Sequence, residues 1–148
     1  MQEYLGVLIA AVRSRIKQVV LVQVAGFGLG PQQFWMLVGI HEQPGVSQAA
    51  LAERVRADAP TVSRTLATLL DRGLVRSDHD PGDRRRSRLY LTASGERLAR
   101  ELKAVAEEVR AAVVDGMSAA EEAALRKGLQ RILVNLDACE ARVRGRRP

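Results

Sequence analysis

The sequence predicts a mainly α-helical fold with one small β-hairpin, and three observations carry that expectation. Long segments near both ends repeat apolar residues at helical spacing. Between them lie two short helical segments joined by only Arg56-Ala57-Asp58. Directly after the second comes DPGDRRRSRLYLTASG, Asp80 to Gly95: a turn signal, four arginines within five residues, and an alternating run. Two short helices, a tight turn and a hairpin, in that order, describe a winged helix-turn-helix flanked by long helices.

Composition narrows the partners. At 148 residues the chain is long enough for one domain with a substantial core. That core must be aliphatic, because aromatic residues make up only 3%. The net charge is +6, and all the cationic residues but Lys17, Lys103 and Lys127 are Arg. An excess of guanidinium favours a polyanion, since its planar fork matches phosphate and guanine. A single cysteine, Cys139, forbids an internal disulfide. No apolar run is long enough to cross a bilayer, and the N-terminus lacks the pattern of a signal peptide, so no membrane partner is expected and the cytoplasm is the expected compartment.

Each element has its own warrant. Residues 3–24 carry Leu5, Leu8, Ile9, Val12, Ile16, Val19 and Val20 at helical spacing, and Ala25 to Gly30 breaks the run. Pro31 suits the first turn of a second helix bearing Phe34, Leu37, Val38 and His41, which Pro44-Gly45 stops. Ser47 can cap a third helix, Gln48 to Val55, packing through Ala49, Leu51, Ala52 and Val55. Asp58 can cap the fourth, with Pro60 in its first turn. That helix is expected to bury Val62, Leu66, Leu69 and Leu70 and to turn Thr61, Arg64 and Thr68 outward, flanked by Thr65 and Arg72. Gly73 is placed as the residue that ends it, with Leu74 folding back.

In the hairpin Leu89 and Leu91 share one face, Arg88 and Tyr90 the other. Thr92 caps a fifth helix to about Val114, with Leu98, Leu102, Val105, Val109 and Val113 along one side. Asp115-Gly116 interrupts it. Ser118 and Glu121 then form a capping box for a sixth helix carrying Leu125, Leu129, Ile132, Leu133, Leu136 and Cys139. The final arginines, Arg142, Arg144, Arg146 and Arg147, are expected to fray. The long end helices hold more apolar surface than a small winged domain can cover, which predicts a two-fold dimer.

These residues resemble the MarR family of bacterial transcriptional regulators. The likeness is densest from Val46 to Gly95: VSQAALAERVRADAPTVSRTLATLLDRGLVR, then the hairpin. The wing pattern falls on Asp80, Asp83, Arg85, Leu91, Thr92 and Gly95; Gly82 departs from it where many relatives carry Arg, with Arg84 and Arg86 nearby. The resemblance implies a single MarR-like domain over 1–148, with dimerisation helices at 3–24 and 93–143 and a DNA-binding lobe at 31–92. It further implies a homodimer on a pseudo-palindromic operator in double-stranded DNA, usually a repressor, released by a small molecule or an oxidant.

The same resemblance assigns roles. Arg85 would enter the minor groove, oriented by Asp83, while Arg84, Arg86 and Arg88 contact phosphates or supply field. On the fourth helix Arg64 can read guanine, and Thr61, Ser63, Thr65 and Thr68 can meet phosphate or thymine methyl groups. Ser47 can donate to a phosphate, though capping alone accounts for it. An effector, aromatic or phenolic, would lie near Arg13, Phe27, Phe34, Trp35 and His41.

Competing classes find less support. No nucleophile elbow, phosphate-cradling loop or metal-ligand spacing is present, so neither an enzyme, a cofactor nor a metal is expected. Cys139 continues an apolar stripe and reads as a buried small hydrophobe, with thiol-based redox sensing as the alternative. The other alternative is a winged-helix protein-interaction module, against which the Thr and Arg face argues.

Overall fold

The computed structural model describes residues 4–79, 82 and 87–145. The chain divides into two compact units, Met1–Arg110 and Ala111–Pro148.

In the first unit, α1 (Leu5–Val24) runs into a short 3-10 turn, Ala25–Phe27. Helix α2 (Pro31–Glu42) follows, with proline in its first turn as expected. It is buried almost all round: Phe34, Met36, Leu37, Val38, Gly39 and Ile40 are inside. The core forms on it, taking Val20 and Val24 from α1, Leu51 from α3 (Gln48–Val55) and Val62, Leu66 and Leu69 from α4 (Ala59–Asp71). Leu102 and Val109 come from α5 (Ala93–Val114). Ala49, expected to pack, is exposed, and so is Leu70 at 39%. Leu70 is one residue past Leu69 and Ala49 is two residues before Leu51, so at about 100° per residue both turn away from the buried stripe of their helix.

The sheet has three strands rather than two. Strands β2 (Val75–His79) and β3 (Ser87–Leu91) form the expected hairpin, and β1 (Val46–Ser47) adds to the other edge of β3 in the order β1-β3-β2, all antiparallel. Two residues are too short to show alternation in sequence. Here β1 is set by pairing of Val46 with Leu89 and Ser47 with Arg88, and by Gly45 N–H donating to Leu89 O at 2.8 Å. Val46, Val75 and Leu89 are buried on the core side, with Leu91 packed against them. On the outer face the Arg76 guanidinium sits 4.6 Å from the ring centre of its cross-strand neighbour Tyr90 and pairs with Asp78.

The junction between α4, the hairpin and α5 is the most closely specified part. Helix α4 ends with Gly73 at φ 64; Gly73 N–H donates to Leu70 O (2.9 Å) and Leu74 N–H to Leu69 O (3.0 Å). Thr92 caps α5 by accepting from Gly95 N–H at 3.1 Å, while its hydroxyl donates to Gly73 O at 2.7 Å and that of Ser94 does so at 3.1 Å. The start of α5 is therefore tied to the end of α4. His41 Nδ1 and Glu96 Oε2, 3.0 Å apart, join α2 to α5 nearby.

Of the sequence-predicted apolar row on α1, Leu5, Leu8, Val12 and Val19 remain 45–60% exposed. Val113, expected on the packing side of α5, is 46% exposed.

In the second unit α6 (Ala119–Arg144) opens with the expected capping box. Ser118 N–H donates to Glu121 Oε2 (2.8 Å), and Glu121 N–H donates to Ser118 Oγ (3.3 Å). None of its residues is buried: Leu125, Leu129, Leu133 and Leu136 are exposed. Cys139, expected inside, is exposed with them, because apolar spacing marks a side of the helix without supplying an element to cover it. Arg142 and Arg144 are helical, not frayed; Arg144 pairs with Glu140 one turn back at 2.5 Å, a favourable arrangement near a helix C-terminus. Arg146 and Arg147 lie outside the described residues. No helix among the described residues is long and apolar enough to cross a membrane.

Candidate nucleic-acid interface

Asp58 organises the start of α4. Its Oδ1 accepts from Thr61 N–H at 2.7 Å and its Oδ2 from the Thr61 hydroxyl at 3.0 Å. The Thr61 oxygen in turn accepts from Arg64 Nη2 at 3.4 Å. The backbone bond from Thr61, then its hydroxyl, hold the Asp58 carboxyl below the ordinary aspartate range, with a smaller contribution from the Arg64 charge. Further along, Thr65 Oγ1 donates to Thr61 O (2.8 Å) and Thr68 Oγ1 to Arg64 O (3.3 Å). These bonds to the preceding turn fix both hydroxyls as donors to the helix backbone. Ser63, Arg64 and Thr68 are exposed; Thr61 and Thr65 are half-buried at the edge of the stripe. The helix thus offers one cation among hydroxyls and methyl groups, the donor and apolar set that base edges and phosphates take.

Other predicted residues stand in different settings. Ser47 Oγ accepts from Ala50 N–H at 3.2 Å, so it is the α3 cap. Arg88 Nη1 donates to Gly45 O at 3.2 Å and braces β1 against β3. Asp80, Asp83, Arg84, Arg85 and Arg86 lie outside the described residues. Arg72, expected beside the outward face, turns back from α4: Nη1 donates to Gly28 O (3.0 Å) and Nη2 to Phe27 O (3.5 Å). Nothing in the local sequence signals that contact, because its partners are 44 and 45 positions earlier. Asp58 was legible only as a cap; its link through Thr61 to Arg64 follows from a spacing of three, which places the three side chains on one helical face.

A model of the MarR family matches residues 27–86, the span holding α2, the helix-turn-helix and β2, and ending just before β3. The transcriptional regulator HosA of Escherichia coli O157:H7 is 34% identical over 90 residues, covering 61% of this chain and 67% of that protein. The chain belongs to the MarR family. A second HosA, of Escherichia coli O111:H-, is 41% identical over 66 residues, 45% of this chain; that match spans about half, 49%, of the relative. Two solved structures extend the likeness along the chain. One, on regulation of DNA binding of Bordetella bronchiseptica BpsR by 6-hydroxynicotinic acid, has a TM-score of 0.75 at 26% identity, covering 88% of this chain and 98% of BpsR. The other, an S. aureus MepR–DNA complex, has a TM-score of 0.77 at 24% identity, covering 90% and 99%.

In this MarR-family chain the five effector candidates fall into separate environments. Phe34 is fully buried in the core, with the edge of Trp35 4.7 Å away between ring centres. Trp35 is 37% exposed, and Phe27 is half-buried against the core in the 3-10 turn. Arg13 is exposed on α1, and His41 is engaged with Glu96. Among the described residues no group of three or more His, Cys, Asp or Glu side chains is placed to hold a metal ion.

Proposed function

We propose that this MarR-family regulator binds a pseudo-palindromic operator as a homodimer, with α4 in the major groove. The observation that carries this is the outward face of α4, where Arg64 stands among Thr61, Thr65 and Thr68 and is steadied through Thr61 by Asp58. Arg64 takes guanine O6 and N7, and the threonines take phosphate or thymine methyl. Arg85 at the hairpin tip reaches the adjacent minor groove, oriented by Asp83, and Arg84 and Arg86 add phosphate contacts. The exposed apolar rows of α1 and of α6 are the surfaces a second copy covers.

The regulator acts as a repressor released by a small aromatic or phenolic effector. Support comes from the BpsR relative, whose DNA binding is regulated by 6-hydroxynicotinic acid. Release is a population shift: the effector binds the DNA-incompatible dimer more tightly, at about 1.4 kcal/mol for each tenfold loss of DNA affinity. Arg13, Phe27, Phe34, Trp35 and His41 are the side chains to substitute, one at a time, in locating it.

The test is a salt series of binding to duplex DNA from upstream of the protein's own gene, beside a shuffled duplex, starting near 0.15 M ionic strength. Preference for the native duplex, weakened in Arg85→Ala, supports a sequence-specific regulator. Equal binding that fades steeply with salt leaves only a basic surface. No binding favours a winged helix whose partner is a protein.

A further inference from the structure

The contact made by Arg72 serves neither the outward face of α4 nor the apolar core. Arg72 follows the last residue of α4, and its guanidinium reaches the carbonyl oxygens of Gly28 (3.0 Å) and Phe27 (3.5 Å). Those two carbonyls end the 3-10 turn that joins α1 to α2. Terminal carbonyls of a helical turn lack partners within it and carry partial negative charge, so a cation there is favoured. Two donors on a rigid planar fork serve both oxygens in one fixed orientation, whereas an ammonium on a flexible stem does not fix that geometry. The receiving end is fixed, because Phe27 packs against the core and Leu29 is buried.

We propose that Arg72 is a positioning residue for DNA recognition: it sets the angle at which α4 leaves the core, and so the reach of Arg64 and Thr68, without touching DNA. This rests on the DNA-binding role proposed above. Val62, Leu66 and Leu69 hold one side of the helix, and the contacts that grip its ends limit rocking about that stripe. Asp58 and the turn at Gly73 grip the backbone locally, and Thr92 and Ser94 hold the Gly73 carbonyl from the start of α5; among the described residues it is the Arg72 side chain that ties the C-terminal end to the α1–α2 connection. The helix has 13 residues. At roughly 20 Å long, it needs a tilt of only about 3° to displace its far end by about 1 Å, beyond the tolerance of about 0.5 Å for a binding constellation.

Three possible roles for Arg72 leave different traces in the salt series. As a positioning residue, its loss in Arg72→Ala lowers affinity for the preferred duplex by about tenfold. The slope of log K against log salt is then unchanged, and affinity for the shuffled duplex stays within about twofold. Arg72→Lys, which keeps the charge but not the fork, recovers only part of the loss. A slope reduced by about 0.9, with full recovery in Arg72→Lys, makes Arg72 a phosphate contact and overturns the proposal. Unchanged affinity in a folded variant, whatever its melting temperature, makes the contact purely structural and overturns it too. Should Arg72→Ala not fold, Arg72→Lys carries the same comparison. If wild-type protein prefers no duplex, the DNA-binding role itself falls; if it prefers one and the variants match it, only the role of Arg72 does.

Discussion

A methyl group at Gly95 would stand 1.9 Å from the carbonyl oxygen of Leu74, well inside any permitted contact. The obstacle is backbone, which cannot swing aside as a side chain can. Gly95→Ala should therefore lose about 3 kcal/mol or more, read as a fall in the urea midpoint with unchanged m. Asp58 supplies a second test at this scale. Its carboxyl is held below the ordinary aspartate value of about 3.9. The linkage sign follows: the stabilisation is fully present above the unfolded pKa and is lost as pH falls through the folded one. The Thr61 amide signal should titrate with a midpoint below that of free aspartate, and Asp58→Asn should abolish the titration. Arg56 behaves oppositely to Gly95. It is the one non-glycine with positive φ (52°) among the described residues. Glycine relieves a cost of about 1–2 kcal/mol there and adds about 0.5–1 kcal/mol of its own, so Arg56→Gly should raise stability by about 0.5–1 kcal/mol in the same denaturation.

At the scale of elements, the exit of the hairpin is fastened between two helices. Thr92 accepts from Gly95 N–H and donates to Gly73 O, so one hydroxyl both starts α5 and fastens it to the end of α4. Thr92→Val keeps the shape and removes both bonds; a loss of about 1–2 kcal/mol is expected from the combined cap and buried-partner terms, with faster amide exchange at Gly95. Much of this architecture was legible. Pro31, Ser47, Asp58, Gly73 and Ser118 each announce a helix boundary through local chemistry, and the structure places those boundaries within a residue or two. Strand β1 was not legible, because two residues carry no period and its pairing is decided by Leu89 and Arg88 of β3, more than forty positions away. The same limit hid the Arg72 contact, whose partners lie on the other side of three helices in sequence. Cys139 is exposed for a different reason: periodicity locates an apolar side but cannot say whether a neighbouring element covers it.

Over the whole molecule, the uncovered apolar residues and the positive charge make one connected prediction. Leu5, Val7 and Val22 on α1 are 58–76% exposed, and Val134 and Leu136 on α6 are 59–63% exposed. Apolar rows of that length on separate helices exceed what a soluble monomer leaves in water. Sedimentation equilibrium should give twice the 16.2 kDa chain mass, and Leu8→Glu with Leu129→Glu should return it to one. Both side chains are outside the core that α2 organises, so near-native helicity should survive the change. DNA affinity should not. A dimer holds its second recognition helix near a half-site about 34–36 Å away once the first is bound. Dissociating it removes an effective concentration worth about 10²–10⁴-fold in affinity while each subunit keeps its own contacts. The salt slope per bound subunit should therefore stay as it was, although the slope for the full operator halves. A wild-type chain sedimenting at 16.2 kDa at concentrations where it binds the operator would remove the dimer from the mechanism. The exposed rows of α1 and α6 would then require another partner.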